Sequence, residues 1–206
     1  MTDPKDIVRY GYDALSYRYR EDDAEEGDYA PWIVQLRERV PAGGAVLDVG
    51  CGCGIPMARS LAPDYAVTGV DISEVQVERA RRLVPGATFL RDDVTRISFP
   101  DDAFDAIVSL YALIHLPNED QRQLLLRAGR YLKPGGWLLA ITGHDTWTGT
   151  EDNWLGGETL MWWSHPDASV YEDWITEAGL VIESRDFVPE GDSGHALFWA
   201  RRPLPA

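Results

Sequence analysis

The sequence predicts an α/β fold built on a mostly parallel sheet, and three observations carry that expectation. Residues 45–54, AVLDVGCGCG, join an apolar run to Asp48 and then to Gly50, Gly52 and Gly54. Further runs at 66–70 and 87–90 each follow a segment with helical patterning, and another apolar run stands at 104–109. Such runs read as buried strands, and strands alternating with helices build a parallel sheet. Glycines let the chain turn sharply where the first strand ends, and without a Cβ a ligand approaches the backbone closely. Strand, glycine turn and helix are how open α/β sheets bind adenine-containing cofactors.

The elements follow in order. Pro56 sits where a first helical turn tolerates it, and Met57, Ala58 and Leu61 supply a short helix. The second strand, 66–70, ends in Asp71, an acid at the distance from the glycine turn that suits both hydroxyls of a ribose. Ser73 and Gln76 make a capping box, and Val77, Ala80 and Val84 face one way along the helix that follows. Residues 87–90 form a short third strand that runs into Arg91, Asp92 and Asp93. Residues 104–109 are the fourth strand, and the turn LKPGG at 132–136 leads into a fifth at 137–141. Asp167 or Ser169 starts a helix carrying Val170, Trp174 and Ala178, which Gly179 stops. Residues 180–184 and 195–200 read as a closing hairpin.

A nicotinamide fingerprint needs G-x-G-x-x-G, and the spacing fails in both registers: Ile55 or Met57 stands where the third glycine belongs. The pattern D-x-G-x-G-x-G, with the later motifs in order over about residues 40–142, instead resembles the class I S-adenosylmethionine-dependent methyltransferases, in their small-molecule (type 11/25-like) branch. That resemblance implies a Rossmann-like three-layer sandwich. Its seven-stranded sheet has order 3-2-1-4-5-7-6, strand 7 antiparallel, with helices on both faces. It implies S-adenosyl-L-methionine as cofactor and S-adenosyl-L-homocysteine as product. It also places the cofactor on Gly50, Cys51 and Gly52, with Asp71 and Ile72 at the ribose. The adenine falls to Asp93, with Asp92 as close second choice and Val94 donating through its backbone. Ser109, Leu110 and Tyr111 line the methionyl end. Asp48 either binds the methionyl amine through water or braces the glycine turn.

The methyl acceptor is expected from the chain outside this core. Y-D-A-L-S-Y-R-Y resembles the covering segment of small-molecule methyltransferases, with Tyr12 and Tyr19 in matching positions and Tyr19 approaching the sulfonium. Aromatic faces suit a cation, although the same tyrosines also fit simple packing of a helix on the sheet. Residues 21–28 hold six acids and read as a solvated, mobile linker. Residues 144–166 contain His144, Trp147, Trp154, Trp162, Trp163 and His165, and begin where ligands sit in doubly wound sheets. The four tryptophans are therefore candidate acceptor contacts, with Tyr12 and His195. His144 or His165 is the candidate general base, histidine being tuned for that near neutral pH. His115 reads mainly as structural. One domain is expected over 1–206: a helical lid (1–40), a cofactor core (41–142), an acceptor insert with its helix (143–175) and a closing hairpin (176–206).

Composition narrows the partners. The formal net charge of −15, from 19 basic and 34 acidic residues, disfavours DNA or RNA, which need a positive surface. Arg79, Arg81 and Arg82 read as a solvated helix face. No apolar stretch reaches the length of a bilayer span and the first residues lack a signal core, so neither membrane nor secretion is expected and the cytoplasm is the default. Cys51 and Cys53 lie inside the glycine turn, and Asp145, Glu151 and Asp152 lack matching ligands, so no metal is expected. The expected protein is a monomer or homodimer that methylates oxygen or nitrogen of a small molecule. The alternatives are another S-adenosylmethionine reaction, or a silent cofactor-binding subunit.

Overall fold

The apolar run around Leu47 becomes the centre of a seven-stranded sheet. In the computed structural model, which describes residues 3–205, β1 (Ala45–Val49) pairs in parallel with β2 (Ala66–Asp71) and β4 (Phe104–Ser109). Outside these lie β3 (Thr88–Arg91) and β5 (Leu132–Gly143), also parallel. At the far edge β9 (Ser193–Arg201) runs antiparallel between β5 and β8 (Val181–Glu190). The order β3-β2-β1-β4-β5-β9-β8 is the expected one. The last strand reverses because a short hairpin joins it to β8, whereas parallel neighbours need a crossover.

Helices cover both faces. On one, α2 (Ala30–Arg39), α3 (Met57–Leu61) and α4 (Glu74–Leu83) bring Ile33, Leu36, Leu61 and Val77 onto Val46, Val67 and Val108. On the other, α5 (Asn118–Tyr131) and α6 (Ala168–Glu177) bring Leu125, Tyr171 and Ile175 onto Leu47, Ile107 and Leu138. Strands buried on both sides are continuously apolar for this reason. The Ser73 side chain accepts from the Gln76 amide at 3.1 Å, but the expected capping box is only half made, because the Ser73 amide donates to Asp71 and the Gln76 side chain accepts from Ser16 instead; Asp167 caps α6 through the Ser169 amide. Among the described residues no helix is long and apolar enough to cross a membrane.

Two regions differ from expectation. The tryptophan-rich insert contains a separate ribbon, β6 (Trp147–Glu151) paired antiparallel with β7 (Met161–His165). Against it lies α1 (Pro4–Tyr19), so closely that a Cβ on Gly11 would come within 2.7 Å of the Met161 methyl. The acidic segment after α1 is docked rather than free. Asp22 receives Arg79 at 2.6 Å and Arg82 at 2.8 Å. Arg79 is itself buried, reaching Ser16 Oγ and the Arg20 carbonyl at 2.7 Å each. It is an anchor for the end of α1, not part of a solvated face.

Candidate cofactor and acceptor site

The carboxyl ends of β1, β2 and β4 converge on a trough roofed by α1. Gly50 (φ +69°) and Gly52 (φ +53°) carry the chain out of β1 in the left-handed region that favours glycine. A Cβ on Gly50 would overlap the Cβ of Ala112, so the turn packs directly under the loop after β4. The Gly52 amide donates to Asp71 Oδ2 at 2.9 Å, and the Ser73 amide donates to Oδ1 at 2.9 Å. The acid at the end of β2 thereby locks the glycine turn while keeping lone pairs toward the trough. Tyr111 (φ +64°) takes the left-handed conformation just beyond β4 and lines the same wall.

The trough has two parts. The larger, about 680 Å³, runs from Lys5 and Asp92 past Asp71 and Gly50 to Tyr12 and His115. The smaller, about 410 Å³, lies beside Arg20, Tyr29, Asp48 and Cys51. Tyr19, Gly50, Gly52 and Leu110 line both, so the two adjoin.

Burial dominates the electrostatics. It raises the Asp71 carboxyl to about 6 despite the backbone amides of Ser73, Gly52 and Ile72, which favour its charged form. Burial, with Asp71 nearby, raises Asp48 to about 7, and Asp48 Oδ2 has no hydrogen-bond partner. Burial also raises both cysteine thiols, which keeps them protonated and unreactive. His115 is pushed down to about 4, again mainly by burial, and is neutral near pH 7. Its Nδ1 lies 2.9 Å from the Trp162 carbonyl, which can only accept, so Nδ1 carries the proton. Nε2 then accepts from the Tyr12 hydroxyl at 3.0 Å.

Most of the residues anticipated for the cofactor meet in this trough. Tyr19, Gly50, Gly52, Asp71, Ile72, Asp92, Asp93, Val94, Leu110 and Tyr111 line the larger part; Asp48 and Cys51 line the smaller. The Ser109 side chain does not join them, although the role expected at this strand end is one for backbone carbonyls. Successive residues of a strand face opposite sides, and Ser109 shares the α5 side with Ile107 and Leu138. The two acids after β3 also divide their work. Asp93 is saturated by Lys5 Nζ at 2.9 Å and by the Thr95 amide and hydroxyl at 2.8 and 2.7 Å. Asp92 receives only the Asp93 amide, on Oδ1, which leaves Oδ2 available.

The acceptor candidates scatter more. Tyr12 lines the trough, and Trp154 stacks edge-on against it with ring centroids 5.0 Å apart, one layer behind. Trp163 lies 5.6 Å from the His115 ring, and Trp162 contributes its carbonyl. Trp147 is 45% exposed and packs on Trp163 away from the trough. Neither His144 nor His165 is on the trough wall: His144 packs on Phe187, and His165 Nδ1 is held by the Asp145 carbonyl at 2.6 Å. His195 is tied to Glu190 at 2.6 Å and reaches the site only through the Tyr111 ring. The histidine that does face the trough is His115, brought there by the short turn after β4. Lys5 and Arg20, both from the lid segment, also line the site and carry no motif that marks them.

Residues 46–136 match the family model described as a methyltransferase domain. The chain is 39% identical over 163 residues to 2-methyl-6-phytyl-1,4-hydroquinone methyltransferase of Synechocystis sp., a stretch covering 70% of this chain and 48% of that one. It is 40% identical over 104 residues to 27-O-demethylrifamycin SV methyltransferase of Amycolatopsis mediterranei, covering 47% and 38%. The chain thus spans about half, or less, of the length of these curated relatives. Its fold superposes on magnesium protoporphyrin IX methyltransferase from Synechocystis, solved with S-adenosylhomocysteine, at TM-score 0.74 and 18% identity over 97% of this chain and 100% of that one. Residues 46–136 are thus similar to the methyltransferase domain, and the chain shares the fold of a methyltransferase solved with S-adenosylhomocysteine.

Proposed function

We propose that this protein transfers the methyl group of S-adenosylmethionine to oxygen or nitrogen of a small, largely apolar acceptor. The observation that carries the reading is Asp71, locked onto the glycine turn at the end of β2 with lone pairs open to the trough. A ribose diol supplies the two O–H donors that such a buried carboxylate lacks. Asp92 Oδ2 and the Val94 amide are assigned to the adenine edge, Ile72 to its flank, and Gly50 and Leu110 to the methionyl chain. A relative named for a hydroquinone supports an acceptor with an aromatic ring, and the net charge of −15 argues against nucleic acid.

The cofactor supplies an electrophilic methyl on a sulfonium whose leaving group is neutral. What the chain adds is alignment and dryness: Tyr12, Tyr19 and Trp154 close the roof, and Tyr111 and Leu116 wall the acceptor end. His115 Nε2 is the unprotonated nitrogen on that wall, and burial, which pushes the ring down to about 4, makes it a weak base. An acceptor hydroxyl that displaces the Tyr12 hydroxyl therefore gives up its proton there only as methyl transfer makes that proton strongly acidic. Incubation with methyl-labelled S-adenosylmethionine and a panel of hydroquinones, phenols and amines tests the reading. Labelled product with stoichiometric S-adenosylhomocysteine is expected. Label retained on bound cofactor across the panel, with S-adenosylhomocysteine never formed, would refute methylation.

A further inference from the structure

Gln121 is a polar residue on an apolar stripe. It lies on the buried face of α5 with Leu124, Leu125 and Ala128, and it is fully buried there. A buried amide costs stability unless its hydrogen bonds are made, and this one is saturated. Its Nε2 donates to the Leu116 carbonyl and to the Ser164 carbonyl, each at 2.6 Å, and its Oε1 accepts from the Tyr171 hydroxyl. Carbonyls only accept, so these partners fix which way the amide faces.

The two carbonyls come from segments distant in sequence. Leu116 follows His115 in the turn after β4, and Ser164 lies two residues beyond Trp162 on β7. Carbonyls two apart on a strand leave the same edge. Because β7 pairs with β6 in a ribbon outside the main sheet, this edge takes side-chain donors instead: His115 Nδ1 at the Trp162 carbonyl, 2.9 Å away, and Gln121 at the Ser164 carbonyl. The main sheet therefore does not set where that edge lies relative to His115. The Gln121 amide does, bridging the backbone beside the histidine and the backbone beside its acceptor. A second tie joins the Ser164 hydroxyl to Asn118 Oδ1 at 2.9 Å, at the exposed start of the same helix.

We infer that Gln121 is a positioning residue for His115: it holds β7 at the spacing that keeps the Trp162 carbonyl on Nδ1 and so presents Nε2, unprotonated, to the trough. This role rests on the assignment of His115 as proton acceptor in the proposed reaction. Gln121 itself lies outside the trough lining and acts only through the ring. A misplacement of about 1 Å from a change remote from the chemistry can cost about 10²-fold in rate.

The test reads the His115 ring by long-range ¹H–¹⁵N NMR, and turnover with methylhydroquinone, in wild type, Gln121→Met, Asn118→Ala and Leu125→Ala. Methionine keeps the length of the side chain without its polar atoms. Gln121→Met should let the His115 Nδ1–H exchange with water at least about tenfold faster and mix the two ring tautomers. It should lower kcat about 10- to 100-fold with S-adenosylhomocysteine affinity unchanged. Asn118→Ala cuts the second tie at the surface, where folding is not at risk, and should move exchange and kcat the same way by about threefold. Leu125→Ala truncates the same buried stripe but makes neither hydrogen bond, and should leave the tautomer and the Nδ1–H exchange as in wild type. Wild-type exchange and tautomer in both Gln121→Met and Asn118→Ala, or an equal change in Leu125→Ala, overturns the role. The ring readout needs no acceptor, so it decides the matter even where methylhydroquinone is not turned over. A shifted ring with unchanged kcat upholds the clamp and removes His115 from the reaction instead.

Discussion

Replacing Arg79 by methionine isolates the anchor of the lid. Methionine keeps an unbranched apolar stem against the Tyr17 ring, over which the guanidinium now lies at 3.9 Å, but removes every donor. Ser16 Oγ, on a residue 1% exposed, and the Arg20 carbonyl each lose a charged donor at 2.7 Å. A hydrogen bond to a charged group contributes roughly 1.5–3 kcal/mol. The Asp22 pair is left out of the sum because that side chain is a third exposed and water replaces the guanidinium there. Ser16 retains its bond to Gln76 at 2.8 Å, so the expected loss is about 3 kcal/mol, near the lower end for two such bonds. The loss falls on α1 and its connection rather than on the sheet. Amide hydrogen exchange reads it locally: amides in α1 should exchange roughly 100-fold faster, with β1 and β4 unchanged. Exchange in α1 within about threefold of wild type would mean that Arg79 does not hold the lid and that the docked linker has been misread.

Four further outcomes follow from the same geometry. On the assignment of Asp48 to the methionyl ammonium, the binding form is the carboxylate, so S-adenosylhomocysteine affinity should fall about tenfold between pH 8 and pH 6 as the group at about 7 takes up a proton; Asp48→Asn should remove that increment in calorimetry. Without ligand the sign reverses. The folded carboxyl lies above its model value of 3.8, so the empty protein loses stability as pH rises toward about 7, and Asp48→Asn should unfold at higher urea than wild type at pH 8 but not at pH 4. Gly50→Ala forces a Cβ into Ala112 at a left-handed position, and should cost roughly 1–3 kcal/mol in urea unfolding and abolish calorimetric binding of S-adenosylhomocysteine. His115→Gln should lower kcat about 10²- to 10⁴-fold while leaving S-adenosylhomocysteine affinity near wild type, whereas the double variant His144→Ala with His165→Ala should keep its turnover.

What sequence makes legible here is what is local. Strand, glycine turn and acid lie within ten residues of one another at 45–54, and each apolar run is marked by burial on both faces of the sheet. The sheet order and the cofactor side of the trough follow from such runs. The contacts missed link distant parts of the chain: Tyr12 with His115 across 103 positions, Lys5 with Asp93 across 88, and Arg79 with Asp22 across 57. No spacing rule connects those partners, so Arg79 reads as a surface residue and His115 as mere packing until α1 is folded over them. The ribbon of β6 and β7 was hidden for another reason. Thr148, Gly149 and Thr150 show no apolar alternation because β6 lies largely exposed, and its pairing rests on backbone register with β7. Strand periodicity fixes the side of the sheet that the Ser109 side chain takes, since Val108 and Ser109 must face opposite sides.

The central claim, that Asp71 and the glycine turn hold S-adenosylmethionine in the trough, is tested most directly by parallel calorimetric titration with S-adenosylmethionine, S-adenosylhomocysteine and NAD⁺. The account predicts micromolar binding of both sulfur compounds, its loss in Asp71→Ala, and no heat with NAD⁺. Binding of NAD⁺ alone, or undiminished binding of S-adenosylhomocysteine by Asp71→Ala, would contradict it.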